Sequence, residues 1–207
     1  MKLIKKIGLI ILVVATSSAG CSKAQKTQQE MPVSLKDKKV LIIYLSRTKN
    51  TQKVATLIHE KIGGKIVPLE LVKPYPENYR AIVDQVAAEN ASGFLPELKT
   101  KIENLADYDV IFLGFPTWGM QLPPPMKSFL STNDLSGKTI VPFNTNAGYG
   151  IGSTFETLKT LAPKSRIVDG YTTTGGIERD GVLFVMEGNK LTEVSAAIDK
   201  WLAQLSF

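Results

Sequence analysis

The 207 residues are 43% hydrophobic and 21% charged, a composition that suits one globular domain with a sizeable core and excludes a disordered chain. Its 25 Lys and Arg residues include Lys2, Lys5 and Lys6, which leaves 22 against 19 acidic residues, scattered and interleaved. So mild an excess, without a basic stripe, argues against nucleic acid as a partner. A single cysteine, Cys21, and a single histidine, His59, exclude an internal disulfide and a Cys/His zinc cluster.

The first twenty residues read as an export signal. Lys2, Lys5 and Lys6 form a positive start, Ile7 to Ala15 a short apolar run, and Ser17, Ser18, Ala19 and Gly20 a small-residue stretch before Cys21. The apolar run is too short for a comfortable membrane span. Ala-Gly-Cys after such a run resembles a bacterial lipobox, with Ser18 where that pattern prefers Leu. The resemblance implies that residues 1–20 are removed and that Cys21 is acylated, which would place the protein outside the cytoplasm on a membrane. Residues 21–38 are polar, rich in Lys and Gln and without apolar periodicity, so they read as a lipidated N-terminus and flexible tether.

The folded domain is expected over residues 39–207. Val40 to Leu45 is a short apolar, β-branched run, the pattern of a strand buried on both faces. Thr51 to Ile62 is amphipathic and ends at Gly63-Gly64; His59 falls beside its apolar stripe, which favours a surface role over a catalytic one. Ile66 to Val72 alternates as a second strand, and Tyr79–Asn90 and Leu95–Leu105 carry helical spacing. Val110 to Phe115 is another doubly buried strand, and a helix should start at Met126 after the brake Pro123-Pro124-Pro125. A fourth strand (Thr139–Phe143), a helix (Ser153–Leu161), a fifth strand (Arg166–Thr172) and a closing helix (Leu191–Leu205) follow. The stretch Ile177 to Asn189 reads as a hairpin extending the fifth strand, with no evident function. Alternation repeated five times predicts an α/β fold, a doubly wound five-stranded parallel sheet with helices on both faces. Ligands bind such sheets at the carboxyl ends of the strands, which directs attention to the loops after Leu45, Phe115 and Phe143.

The first of these loops holds Ser46, Arg47, Thr48, Lys49, Asn50 and Thr51 between a buried strand and a helix start. Hydroxyls, an amide and consecutive backbone N–H groups there form an anion cradle. It is neither a G-x-x-x-x-G-K-[ST] loop nor a G-x-G-x-x-G dinucleotide turn. S-R-T-K-N-T after VLIIYL resembles the [TS]-x-T-x-N-T phosphate loop of the flavodoxins, small carriers of flavin mononucleotide (FMN). Pro116, Thr117, Trp118 and Gly119 resemble the family's second flavin loop, and the run from Phe143 through Asn144, Thr145, Asn146, Gly148 and Tyr149 to Gly150 resembles its third. The stretch PYPENYRAIVDQVAAENASGFLPEL resembles a flavodoxin-like bacterial branch.

The resemblance implies an FMN cofactor held without covalent attachment. Ser46, Thr48, Asn50 and Thr51 would donate to its phosphate, while Arg47 and Lys49 would either add charge or point outward. Trp118 would stack on the isoalloxazine unless it belongs to the core, and Gly119 would allow a peptide flip near the ring. Thr145, Asn146 and N–H groups near Gly148 would meet the pyrimidine edge; Tyr149 would cover the other face or belong to a pliable loop. No side chain is expected to act as a covalent catalyst. The expected partner is a redox protein or a small-molecule electron acceptor, the alternatives being an NAD(P)H-dependent quinone or nitro reductase and a flavin-binding lipoprotein. The mild basicity and the export signal depart from the acidic, cytosolic members of the family.

Overall fold

The computed structural model describes residues 35–177 and 180–207; the export signal and Cys21 lie outside them. The domain begins earlier than expected, because Leu35 is fully buried in the core and the turn from Leu35 to Lys38 leads directly into the first strand.

The chain runs β1 (Val40–Tyr44), α1 (Asn50–Ile62), β2 (Lys65–Pro68), α2 (Tyr79–Ser92), β3 (Val110–Pro116), α3 (Pro124–Thr132), β4 (Thr139–Asn146), α4 (Thr154–Leu161), β5 (Arg166–Ile167), β6 (Tyr171–Thr174) and α5 (Gly188–Gln204). All strand pairings are parallel, in the order β2-β1-β3-β4-β5, with β6 also paired to β4. This is the doubly wound order whose switch point lies between β1 and β3.

The central strands are apolar throughout because both of their faces are covered. Val40, Ile42 and Tyr44 of β1 join Phe112, Val141 and Phe143 in a layer closed by α1 and α5. Leu41, Ile43 and Leu45 join Ile111, Leu113 and Ile140 in the opposite layer, closed by α3 and α4. The period-two alternation of side chains thus divides each strand between two cores. Helix α2 belongs to neither: its buried Ile82 and Val86 lie outside both layers and line a cavity instead.

Four expectations are corrected. Residues 95–105 are not a helix. Leu98 pairs with Leu71 in an antiparallel bridge, supported by Val72 N–H to Glu97 O and Lys99 N–H to Glu70 O. Leu98, Ile102 and Leu105 pack against the core from this non-helical path. Helix α3 begins at Pro124 rather than Met126, since first-turn residues have no use for an N–H and the fixed proline φ suits the turn.

The fifth strand is split in two. Val168 N–H donates to Ile140 O, so Ile140 faces that edge of β4. Backbone groups two residues on face the same way, so Pro142 turns its N–H-less nitrogen toward the fifth strand, and pairing lapses there until Phe143↔Tyr171. Finally, the stretch after Gly176 does not extend this strand. It folds back through the bridge Ile177↔Val182 and descends to bury Met186 among the residues of the α1/α5 layer.

Gly114 of β3 tests this packing. A Cβ there would lie 2.1–2.9 Å from ring atoms of the fully buried Phe143 on the paired strand. Gly114→Ala is expected to cost about 1–3 kcal/mol through forced displacement of that ring, read as a lower urea midpoint at unchanged m-value.

Candidate functional site

The loops after β1, β3 and β4 converge with α2 and the 175–183 segment around a single cavity of about 1050 Å³. Of the residues singled out in the sequence, Arg47, Thr48, Thr51, Pro116, Thr117, Trp118, Gly119, Thr145, Asn146 and Tyr149 line it, whereas Ser46, Lys49, Asn50, Asn144 and Gly148 stand behind or beside it.

At the cavity's polar end, α1 starts without a side-chain cap. Its first intrahelical bond is Lys53 N–H to Lys49 O at 2.9 Å, which leaves the Asn50, Thr51 and Gln52 N–H groups ahead of it. Lys49, in the left-handed conformation at φ 65°, directs the chain into the helix while its side chain is exposed. The Ser46 Oγ is buried and has no hydrogen-bond partner. Thr51 Oγ1 and Thr145 Oγ1 lie 2.9 Å apart. One hydroxyl donates to the other, so the second proton remains available to a ligand.

Two residues of the expected phosphate loop have other employment. Asn50 is 1% exposed, and its Nδ2 donates to Thr48 Oγ1 at 2.8 Å and to Leu183 O at 2.7 Å, while its Oδ1 accepts from Val185 N–H at 3.1 Å. One amide proton braces the loop internally at Thr48, while the other and the Oδ1 hold the loop to Leu183 and Val185, so the side chain acts as a bracket. Arg47 turns toward the start of α2, donating to Glu77 O at 3.1 Å with its guanidinium 5.5 Å from the centre of the Tyr79 ring. That contact keeps its charge at the cavity wall while holding two segments together.

The second loop is a tight hairpin. Trp118 and Gln121 exchange both backbone hydrogen bonds, and the two residues between them, Gly119 (φ 55°) and Met120 (φ 58°), both have positive φ. A mirror-image turn of this kind suits glycine but is unusual for methionine. It presents the half-buried Trp118 to the cavity, with Tyr75 meeting its ring edge-on at 5.4 Å. The Tyr75 hydroxyl donates to the buried Glu89 at 2.5 Å, and burial followed by that carboxylate raises the phenol's pKa well above its ordinary value.

The third loop is fastened from below. Asn144 is fully buried and donates to Phe115 O and Thr117 Oγ1, so it ties the second loop to the third instead of facing a ligand. Asn146 Oδ1 accepts from both Gly148 N–H and Gly150 N–H, at 3.0 and 3.2 Å, which uses the backbone donors expected at a pyrimidine edge. Tyr149 stands 63% exposed at the cavity lip.

Several lining residues gave no signal in the sequence: the α2 face from Tyr79 to Ala91, the Gly175-Gly176 pair, and Val182 and Leu183. Tyr79 and Val83 of α2 are large apolar residues left substantially exposed along the cavity. On the rear of the wall, Lys127 donates to Asn90 Oδ1 at 2.9 Å and Gln121 Oε1 at 3.1 Å, and burial lowers its pKa. His59 is half-buried on α1 with its Nδ1 unpartnered and takes no part in the cavity. Among the described residues no group of three or more His, Cys, Asp or Glu is placed to hold a metal ion.

A parallel sheet in the 2-1-3-4-5 order, with its cavity at the β1/β3 switch point, is the flavodoxin-like class of α/β protein. A Flavodoxin family model matches residues 39–188, and the chain belongs to that family. Its fold is similar to that of a protein from Bacteroides uniformis described as a flavoprotein (27% identity, TM-score 0.63, covering 78% of this chain and 98% of that one). A second, from Bacteroides eggerthii, is described in the same way (27% identity, TM-score 0.62, covering 79% and 98%). A flavoprotein of Lactobacillus acidophilus in complex with FMN shares the fold (22% identity, TM-score 0.59, covering 65% and 92%). No curated protein sequence matches the chain.

The Asn50 bracket carries a prediction. Asn50→Ala removes three hydrogen bonds and leaves the Val185 N–H and Leu183 carbonyl without their partner. It is expected to cost about 1–3 kcal/mol and to speed protease cleavage between residues 181 and 187, observed by mass spectrometry of the nicked chain.

Proposed function

We propose that this domain binds FMN non-covalently and serves as a redox protein through it, the phosphate seated at the Ser46–Thr51 loop and the ring against Trp118. The observation that carries the reading is the buried, unpartnered Ser46 Oγ beside the uncapped start of α1. A buried hydroxyl without a partner costs free energy unless a ligand completes it, and a helix N-terminus favours an anion. Gly175 supports the same fit: a Cβ there would lie 2.6 Å from the Thr145 Cβ and 3.0 Å from the Asn50 Cβ, so the segment after β6 closes tightly around the hydroxyls.

When bound, FMN would supply the one- and two-electron chemistry, and the protein would bind and orient it. Ser46, Thr48 and the Thr51/Thr145 pair donate from hydroxyls, and the first N–H groups of α1 add their dipole. Trp118, steadied by Tyr75, offers an apolar face to a planar ring, and Tyr149 at the lip would cover its other side. Its partner would be a redox protein or a small-molecule electron acceptor. A second reading, an NAD(P)H-dependent quinone or nitro reductase, draws support from the apolar face that Ile82, Val83 and Val86 of α2 present to the cavity, which the flavin loops leave unused.

The protein is expected to bind FMN more tightly than riboflavin, measured by quenching of flavin fluorescence; equal affinities would remove the phosphate-loop assignment. Ser46→Ala should weaken FMN by about 1–3 kcal/mol and leave riboflavin unchanged. We further propose that the protein is exported and anchored to a membrane through acylated Cys21. Cys21→Ser should then yield a soluble or unprocessed protein on cell fractionation. A correctly cleaved mutant that stays with the membrane would refute the anchor.

A further inference from the structure

The flavin reading leaves one wall of the cavity without a task. Ile82, Val83, Val86, Ala87 and Ala91 of α2 form an apolar face along it, and Asn90 interrupts that face. Lys127 on α3 explains how Asn90 is set. An ammonium group only donates, so the Asn90 and Gln121 carboxamides, 2.9 and 3.1 Å from the Lys127 Nζ, must both present oxygen to it. Their NH₂ groups are thereby turned away from Lys127, and both residues line the cavity. The Asn90 Nδ2 lies 3.8 Å from where a Cβ on Gly119 would stand, which puts that donor beside the turn carrying Trp118. Gln121 closes the same turn through its backbone bonds to Trp118. No carboxylate among the described residues forms an ion pair with Lys127, so two neutral amides share its positive charge.

We propose that Asn90 and Gln121, oriented by Lys127, form a second ligand subsite that receives a carbonyl oxygen of a planar aromatic electron acceptor of the quinone class, whose ring lies on the apolar face of α2. The inference rests on the reading that the same cavity takes FMN. Two N–H donors set by a half-buried cation match an oxygen that is electron-rich and gains negative charge on reduction. The flanking apolar wall of α2 accommodates the ring. Lys127 is a positioning residue here, acting through the two amides.

The test uses the full chain saturated with oxidised FMN and measures binding of dimethylnaphthoquinone by equilibrium dialysis, with dimethylnaphthalene as the same ring frame lacking its carbonyl oxygens. The quinone should bind about tenfold more tightly than the hydrocarbon, the difference expected for one well-made polar contact. Asn90→Asp and Gln121→Glu keep an oxygen for Lys127 and replace the donors with acceptors. Each should abolish the preference while FMN affinity and hydrocarbon binding stay within twofold. Lys127→Met should reduce the preference with the same controls unchanged.

A wild-type chain that does not distinguish the two probes would overturn the subsite. So would variants that lose FMN affinity while the preference persists, since the donors would then serve the flavin. If the chain fails to take up FMN at all, the flavin reading falls. The same dialysis on the flavin-free chain then decides the subsite separately: a preference abolished by Asn90→Asp sustains it, and no preference sinks it.

Discussion

Burial of β1, β3 and β4 on both faces is the constraint from which the rest of the molecule follows. Leu41, Ile42 and Ile43, like Ile111, Phe112 and Leu113, are fully buried and alternate between two separate cores. A sheet that is apolar on both sides must be covered on both sides, and parallel strands can be joined only by long crossovers, which here are helices. Because all the strands run in one direction, every strand-to-helix loop emerges at the same edge of the sheet. Thr48, Trp118 and Asn146, about a hundred residues apart from first to last, become neighbours of one cavity for that reason alone.

Within this arrangement the polar side chains divide into those that build the site and those left open to a ligand. Asn50 and Asn144 are the most buried amides among the described residues, and the hydrogen bonds of each hold one loop against another segment. Leaving such bonds unmade would cost about 1–3 kcal/mol for each buried group, so the loops are fixed before any ligand arrives. Fixing them in advance lowers the entropy lost on binding. The groups that remain are hydroxyls, helix N–H groups and aromatic faces, which order few rotatable bonds when they engage a ligand.

The sheet was legible in the sequence because its signal is local: VLIIYL and VIFLGF permit little other than doubly buried strands, and the closing helix shows its stripe of Val194, Ile198, Trp201 and Leu202. The three loops could be located because strand ends locate them. Residues 95–105 misled because Leu98, Ile102 and Leu105 have helical spacing, while their actual partners, Glu70 to Val72, lie a full crossover away. The task of Asn50 was equally hidden, since its partners Leu183 and Val185 are more than 130 residues distant and bond through their backbone, which has no sequence signature. The Lys127 cluster was unreadable for a related reason: three helix and loop residues that look like solvated surface meet only once α2 is packed beside α3.

The lapse in pairing at Pro142 bears on how copies of this protein behave toward one another. An open sheet has two edges, and a long regular edge invites a strand from another molecule. Here one edge is β2, four residues running from an exposed Lys65 to Pro68. The other is broken into β5 and β6, of two and four residues, displaced from each other where the proline denies the ladder its bond. Neither margin offers a continuous template, so the imino acid that spoils one strand also guards the chain against edge-to-edge aggregation.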